Sequence, residues 1–183
     1  MPPGSASRTN IVLVGFMGSG KSSIGRLVAG RLRFRFIDTD HVIVERAGMD
    51  ISEIFRRHGE AHFRALESSV LESLAPLDRH VIATGGGIVL REDNRARSRE
   101  LGFVVGLKAS ESVIVERVSR NTRRPLLQTG DPRETVRQML AERQPLYEAA
   151  AQFTIDTSYL THTEVALVII TRARRAFAWQ DAT

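Results

Sequence analysis

The sequence predicts an α/β fold, a central parallel sheet of five strands covered by helices on both faces. Three observations predict it. Short apolar runs rich in branched residues recur five times, at 11–14, 34–37, 81–83, 103–107 and 153–155. They read as continuous apolar stretches and not as alternating ones, the pattern of strands buried on both faces. The segments between them are long enough to hold the helical crossovers that a parallel sheet requires.

The elements follow in order. The first run leads straight into Gly15-Phe16-Met17-Gly18-Ser19-Gly20-Lys21-Ser22, after which 22–32 reads as a helix. The second run ends in Asp38-Thr39-Asp40. A short helix over 52–57 is expected to take Ser52 as its cap. The stretch 60–74 places Phe63, Leu66, Val70 and Leu74 at helical spacing, giving one buried face, with Arg64 and Glu67 three apart beside it. The third run opens into Thr84-Gly85-Gly86-Gly87. Helices are predicted at 111–119, 134–150 and 163–176. Between the first two of these, 120–132 reads RNTRRPLLQTGDP, where three arginines meet two prolines and a glycine, and no helix continues comfortably past Arg124. This loop is either a solvated connection or a mobile lid that carries arginines to a phosphate. No repeat, linker or low-complexity tract interrupts the pattern, so 1–183 is expected to be one domain with 1–9 as a loose tail.

Composition excludes several function classes. The absence of cysteine removes disulfide frameworks, cysteine zinc sites and thiol nucleophiles, and fits a reducing compartment. No apolar run approaches the roughly 18 residues of a membrane span. The opening MPPGSASRTN has no apolar core of a signal peptide, so a cytoplasmic location and no membrane partner are expected. The net charge of +5 rests on 26 basic residues, of which only Lys21 and Lys108 are lysines. These charges are scattered among acidic residues, and aromatic residues make up only 6%, so no nucleic-acid partner is predicted. A monomer is expected.

The chemistry begins at Gly15 to Ser22, which satisfies G-x-x-x-x-G-K-[ST] between a strand and a helix. Glycines let successive N–H groups turn inward around phosphate oxygens, and the following helix presents its positive end to the same anion. Lys21 would add a point charge at the β- and γ-phosphates. Ser22 would give its hydroxyl to Mg²⁺, an ion that prefers oxygen ligands. The alternative, a glycine-rich turn with an exposed lysine, explains none of this spacing.

Asp38 and Asp40 fall at the carboxyl end of the second strand, where one carboxylate can position the metal and the other accept a hydroxyl proton. An N-cap for the following helix is the plainer role for either. The third strand ends without an acid, so Asp38 must serve as the metal-side carboxylate. Gly85, Gly86 and Gly87 permit close backbone approach to a ligand, though a plain turn would use them too. An acceptor carrying a carboxylate needs a fork of N–H donors, for which Arg64 and Arg143 stand out. With 24 arginines in the chain, any one taken blindly is a solvated surface residue. The residues alone lead to a small phosphate-loop kinase with an unknown acceptor.

The motifs taken together resemble shikimate kinase over roughly 10–158. They are GFMGSGKSSIGRLVAGRL, FIDTD, ISEIF with GEAHFRALES, VIATGGGIVL, NTRRPLL, and ERQPLYEAA followed by FTIDT. The resemblance implies a P-loop kinase fold like that of nucleoside monophosphate kinases, five parallel strands with a mobile lid at about 120–132. It implies transfer of the ATP γ-phosphate to the 3-hydroxyl of shikimate, in the chorismate route to aromatic amino acids. Carried over by position, Gly15, Gly18, Ser19, Gly20, Lys21, Ser22 and Ser23 would bind ATP, with Ser22 and Asp38 on Mg²⁺. Asp40 would hold the shikimate hydroxyls and act as base, with Lys21 and Arg124 serving the transferring phosphate. Arg64 and Arg143 would clamp the shikimate carboxylate, and Gly85, Gly86 and Gly87 would contact shikimate through backbone. Phe55 and Phe63 would wall the pocket, Glu67 would orient an arginine, and Arg117 would lie against adenine. Two departures stand out: Ile43-Val44 replaces the family's Ile-Glu, and Ser158-Tyr159-Leu160 follows FTIDT where a proline near adenine is usual.

Two other readings remain at this point. A gluconate or nucleoside monophosphate kinase would keep the phosphate loop, magnesium and lid but would not need Arg64 and Arg143. A ligand-sensing domain that transfers nothing would be expected to lose Lys21 or Asp40 or to add a DNA-binding segment, and nine residues before Asn10 are too few for one. The Arg172-Ala173-Arg174-Arg175 run reads as charge complementing a helix C-terminus.

Overall fold

A computed structural model of the chain describes residues 8–119 and 131–178. Five parallel strands form one sheet in the order β2-β3-β1-β4-β5. They are β1 (Asn10–Gly15), β2 (Arg35–Asp38), β3 (His80–Ala83), β4 (Gly102–Lys108) and β5 (Phe153–Asp156). Every apolar run read as a strand is one, shifted by a residue or extended at its ends. β1 is central and buried along its whole length, and Asn10 at its start is fully buried too. The Asn10 amide donates to the carbonyls of Leu77 and Leu101 and accepts from the His80 N–H, tying β1 to the chain on both sides. Of the expected tail, Arg8 and Thr9 are described, and both are anchored. Thr9 donates twice to Asp78, and Arg8 donates to the Glu100 carbonyl.

Helices cover both faces. One apolar layer packs α1 (Lys21–Leu32) and α7 (His162–Ala176) against the sheet through Ile24, Val28, Val165 and Ile169. The other places α3 (Ile51–Ser73), α4 (Glu92–Leu101), α5 (Glu111–Ser119) and α6 (Pro132–Ala150) over Val12, Val14, Ile82 and Val104. The remaining helix, α2 (Thr39–Ala47), follows β2 directly, and a 3₁₀ turn spans Ile88–Leu90. The two helices expected at 52–57 and 60–74 form α3 in two segments, broken at Gly59 (φ 78°, ψ 173°). Their cap is not Ser52 but Asp50, which accepts from the Glu53 N–H at 2.8 Å, while Ser52 donates to the same carboxylate. Asp can serve both donors because it accepts only, whereas Ser52 already lies inside the first turn.

α4 went unread in the sequence because EDNRARSREL carries no apolar stripe. Its buried positions include Asn94 and Ser98, so a polar face meets the core, and only the neighbouring elements reveal that. α6 continues through Pro145, which deprives the Ala141 carbonyl of its helical partner, and it delivers Arg143 and Tyr147 on one face one turn apart.

Candidate active site

β1 delivers the chain to the phosphate loop at its carboxyl end, between β3 and β4, where the crossovers leave in opposite directions and open a crevice. Gly20 caps α1 at φ 96° and ψ 10°, a left-handed conformation that favours glycine, and an added Cβ would sit 2.9 Å from Ile24 Cδ1. The first turn of α1 carries no acid, so its positive end faces the loop unopposed. The Lys21 ammonium donates to the carbonyls of Gly15 (2.8 Å) and Phe16 (2.9 Å). Ser19 is fully buried, and its hydroxyl has no hydrogen-bond partner among the described residues.

A cleft of about 420 Å³ opens over this loop. Its lining brings together Gly18, Gly20, Lys21, Ser22, Ser23, Asp38, Asp40, Gly86 and Arg117, all singled out from the sequence. Met17 and Thr84, which stand inside quoted motifs without an assigned role, line it as well, as does His162 of α7, to which no motif pointed. The Ser22 hydroxyl donates to Asp38 Oδ2 at 2.6 Å. Asp38 Oδ1 accepts from the Asp40 N–H, which makes Asp38 the N-cap of α2. The N-cap role takes one oxygen of Asp38, and the other stays at the phosphate loop on the Ser22 hydroxyl. Asp38 ends the strand as expected, but Asp40 is no longer part of it. It stands in the first turn of α2 and reaches the same cleft.

Arg117 is held by the Gly18 carbonyl (3.2 Å) and by Thr157, through the hydroxyl at 3.3 Å and the carbonyl at 3.0 Å. It thereby joins α5 to the phosphate loop and to the segment after β5. Arg124, and the lid expected over 120–132 as far as residue 130, lie outside the described residues.

The glycine run after β3 forms the floor between two groups of side chains. Thr39 Oγ1 accepts from the Gly85 N–H at 3.0 Å, and the Tyr147 hydroxyl donates to the Gly86 carbonyl at 2.6 Å. A Cβ on Gly85 would strike Asp40 Oδ1 and Glu67 Oε1, and one on Gly87 would overlap the Arg64 guanidinium. Only glycine allows these side chains to approach the backbone so closely.

Arg64 is 9% exposed and Arg143 8%, so neither is the solvated arginine that composition alone favours. Arg64 donates to Glu67 Oε2 at 2.7 Å and to Glu60 Oε1 at 2.8 Å. Burial works against its charge, but Glu67 and Glu60 outweigh it and hold the guanidinium above its ordinary value. Glu67 is fully buried and its carboxyl is pushed up to about 7, first by burial, with Arg64 opposing and nearby Asp40 adding to the rise. Phe55 and Phe63 stack tilted with ring centroids 4.8 Å apart, and the Arg64 guanidinium lies 5.3 Å from the Phe63 centroid. Arg64, Glu67, Arg143, Phe55 and Phe63 do not line the cleft itself. Arg64 and Glu67 lie against the glycine run, at Gly87 and Gly85, and Gly86 continues that run into the cleft.

A family model described as shikimate kinase matches residues 17–174. The chain belongs to the shikimate kinase family. A shikimate kinase from Thermodesulfovibrio yellowstonii is 51% identical over 166 residues, covering 91% of this chain and 95% of that one. Among solved structures, the shikimate kinase from Acinetobacter baumannii in complex with shikimate superposes with a TM-score of 0.87 at 37% identity, covering 91% of this chain and 93% of that chain. The Aquifex aeolicus enzyme gives 0.79 at 32% identity, over 93% of this chain and 98% of that one. Shikimate kinases are ATP-dependent small-molecule kinases, and the sheet order, phosphate loop and paired acids of this member are built for that class of reaction.

Proposed function

We propose that this chain transfers the γ-phosphate of ATP to the 3-hydroxyl of shikimate, giving ADP and shikimate 3-phosphate. The observation that carries the proposal is a single cleft holding the phosphate loop, the Ser22–Asp38 pair and Asp40, with the buried Arg64 reached through the glycine run. The N–H groups of Gly15 to Ser22 and the Lys21 ammonium hold the ATP phosphates, Ser19 and Ser23 belonging to the same loop. Asp40 orients the acceptor hydroxyl and accepts its proton as the oxygen bonds to phosphorus and the bond to the ADP oxygen breaks. Arg64, kept in place by Glu67, and Arg143 bind the acceptor carboxylate, with Phe55 and Phe63 beside them and Gly85, Gly86 and Gly87 offering backbone. Arg117 borders adenine, and Arg124 from 120–130 serves the transferring phosphate.

The donor set suits Mg²⁺. Ser22 and Asp38 offer hydroxyl and carboxylate oxygens 2.6 Å apart at the phosphate loop, and the described residues hold no cluster of three His or acidic side chains that would enclose a metal. Such an ion takes its other ligands from phosphates and water. When bound, it neutralises charge on the β- and γ-phosphates. The reading extends to one domain, a monomer in the cytoplasm, with no nucleic-acid or membrane partner. No described helix is long and apolar enough to cross a membrane.

The test is a coupled ADP-release assay with MgATP, comparing shikimate, gluconate, AMP and no acceptor at equal concentrations. Shikimate-dependent turnover well above the no-acceptor rate is the expected result. Activity with another acceptor alone would retain the phosphate loop and discard the arginine clamp. Ligand binding without turnover would indicate a sensing domain.

A further inference from the structure

Tyr147 stands in the ERQPLYEAA motif beside Arg143 and carries no role in the reading above, yet its hydroxyl lies where the glycine run, the phosphate loop and the arginine clamp meet. The side chain is 3% exposed. It donates to the Gly86 carbonyl at 2.6 Å, across 61 residues of sequence. The Arg143 guanidinium, one helical turn earlier on α6, lies against the same hydroxyl, and the charges of Arg64 and Glu67 also act on it. A phenol has one proton to donate and lone pairs with which to accept, so it can serve the carbonyl and the arginine together. On the other side of Gly86 stands the phosphate loop: a Cβ there would lie 3.5 Å from the Met17 nitrogen and 3.7 Å from both the Gly15 carbonyl oxygen and the Tyr147 oxygen.

We propose that the Tyr147 hydroxyl is a positioning residue for the acceptor, locking the Gly86–Gly87 peptide to α6, the helix that carries Arg143. The proposal rests on the shikimate reading given above. The peptide is trans, so a carbonyl held by Tyr147 turns the Gly87 N–H the opposite way, away from α6. Gly87 itself packs on Arg64, and Arg143 lies one turn before Tyr147 on α6, so the phenol ties the helix that carries one arginine of the clamp to the backbone that backs the other. The hydroxyl stays protonated over any working pH, since burial pushes it up to about 12 despite the nearby arginines. The donor is therefore permanent.

Tyr147→Phe keeps the ring and its packing and removes only the hydroxyl. Steady-state kinetics should show the KM for shikimate rising about tenfold, the loss of one buried hydrogen bond, with kcat and the KM for ATP changed much less. Arg143→Lys is measured alongside, with thermal unfolding of each protein. If Arg143→Lys weakens shikimate and Tyr147→Phe does not, the hydroxyl does no positioning and the proposal is overturned. If Tyr147→Phe lowers the melting temperature and weakens ATP and shikimate equally, the hydroxyl is merely structural, which also overturns it. If Arg143→Lys leaves shikimate affinity unchanged, the clamp reading fails first, and the proposal falls with it.

Discussion

Asp38 and Asp40 stand two residues apart and do different work because the chain changes from strand to helix between them. Asp38 spends one oxygen on the Ser22 hydroxyl and the other on capping α2, while Asp40 projects from the first turn into the cleft beside the glycine run. Asp40→Asn preserves size and removes the base. Turnover should fall by about 10²–10⁴-fold with the KM for ATP unchanged, as read by steady-state kinetics. Lost ATP affinity with intact shikimate binding would contradict the assignment. The residue types of the phosphate loop and the paired acids were legible because their chemistry depends on local spacing. The burial of Arg64 and Arg143 was not, because among 24 arginines only the helices packed over these two distinguish them. Thr39 and Tyr147 stand inside the motifs FIDTD and ERQPLYEAA, but their role was not legible, since each acts on the glycine run from a distant part of the chain.

At the scale of elements, α1 shows how close packing supports the site. Gly25 faces the sheet, and a Cβ there would lie 2.7 Å from the Phe36 ring and 3.1 Å from Leu13 Cδ1. A ring and a fully buried leucine cannot both give way, so Gly25→Ala should destabilise the fold by about 1–3 kcal/mol in spite of alanine's better helix propensity. Urea unfolding measures it. A neutral or stabilising result would mean that α1 slides on the sheet at no cost. Strand runs and amphipathic helices were readable from periodicity, and Gly59 marks the break in α3 that the pattern placed between 57 and 60. α4 was invisible because polar side chains occupy its buried face, and periodicity registers only apolar burial.

Over the whole molecule, one buried carboxyl links protonation to stability. Glu67 has an ordinary value of 4.5 and is pushed up to about 7 in the fold. The folded chain thus keeps a proton that the unfolded chain has released, so this contribution is fully present below 4.5 and is lost as pH rises through about 7. Denaturant stability of the native protein should therefore decline between about pH 5 and about pH 8, and Glu67→Gln, which cannot titrate, should flatten that slope whatever its effect on absolute stability. An equal slope in both proteins would place the titrating group elsewhere. The strand runs, the phosphate loop and the acids after β2 were determined by the sequence alone, because each depends on neighbours within a few residues. Tertiary structure decided the order β2-β3-β1-β4-β5, in which Asp38 at the end of β2 meets Ser22 at the start of α1 although β3 lies between β2 and β1. It also decided which charges are buried, because burial depends on which elements pack together across the chain and no local spacing records that.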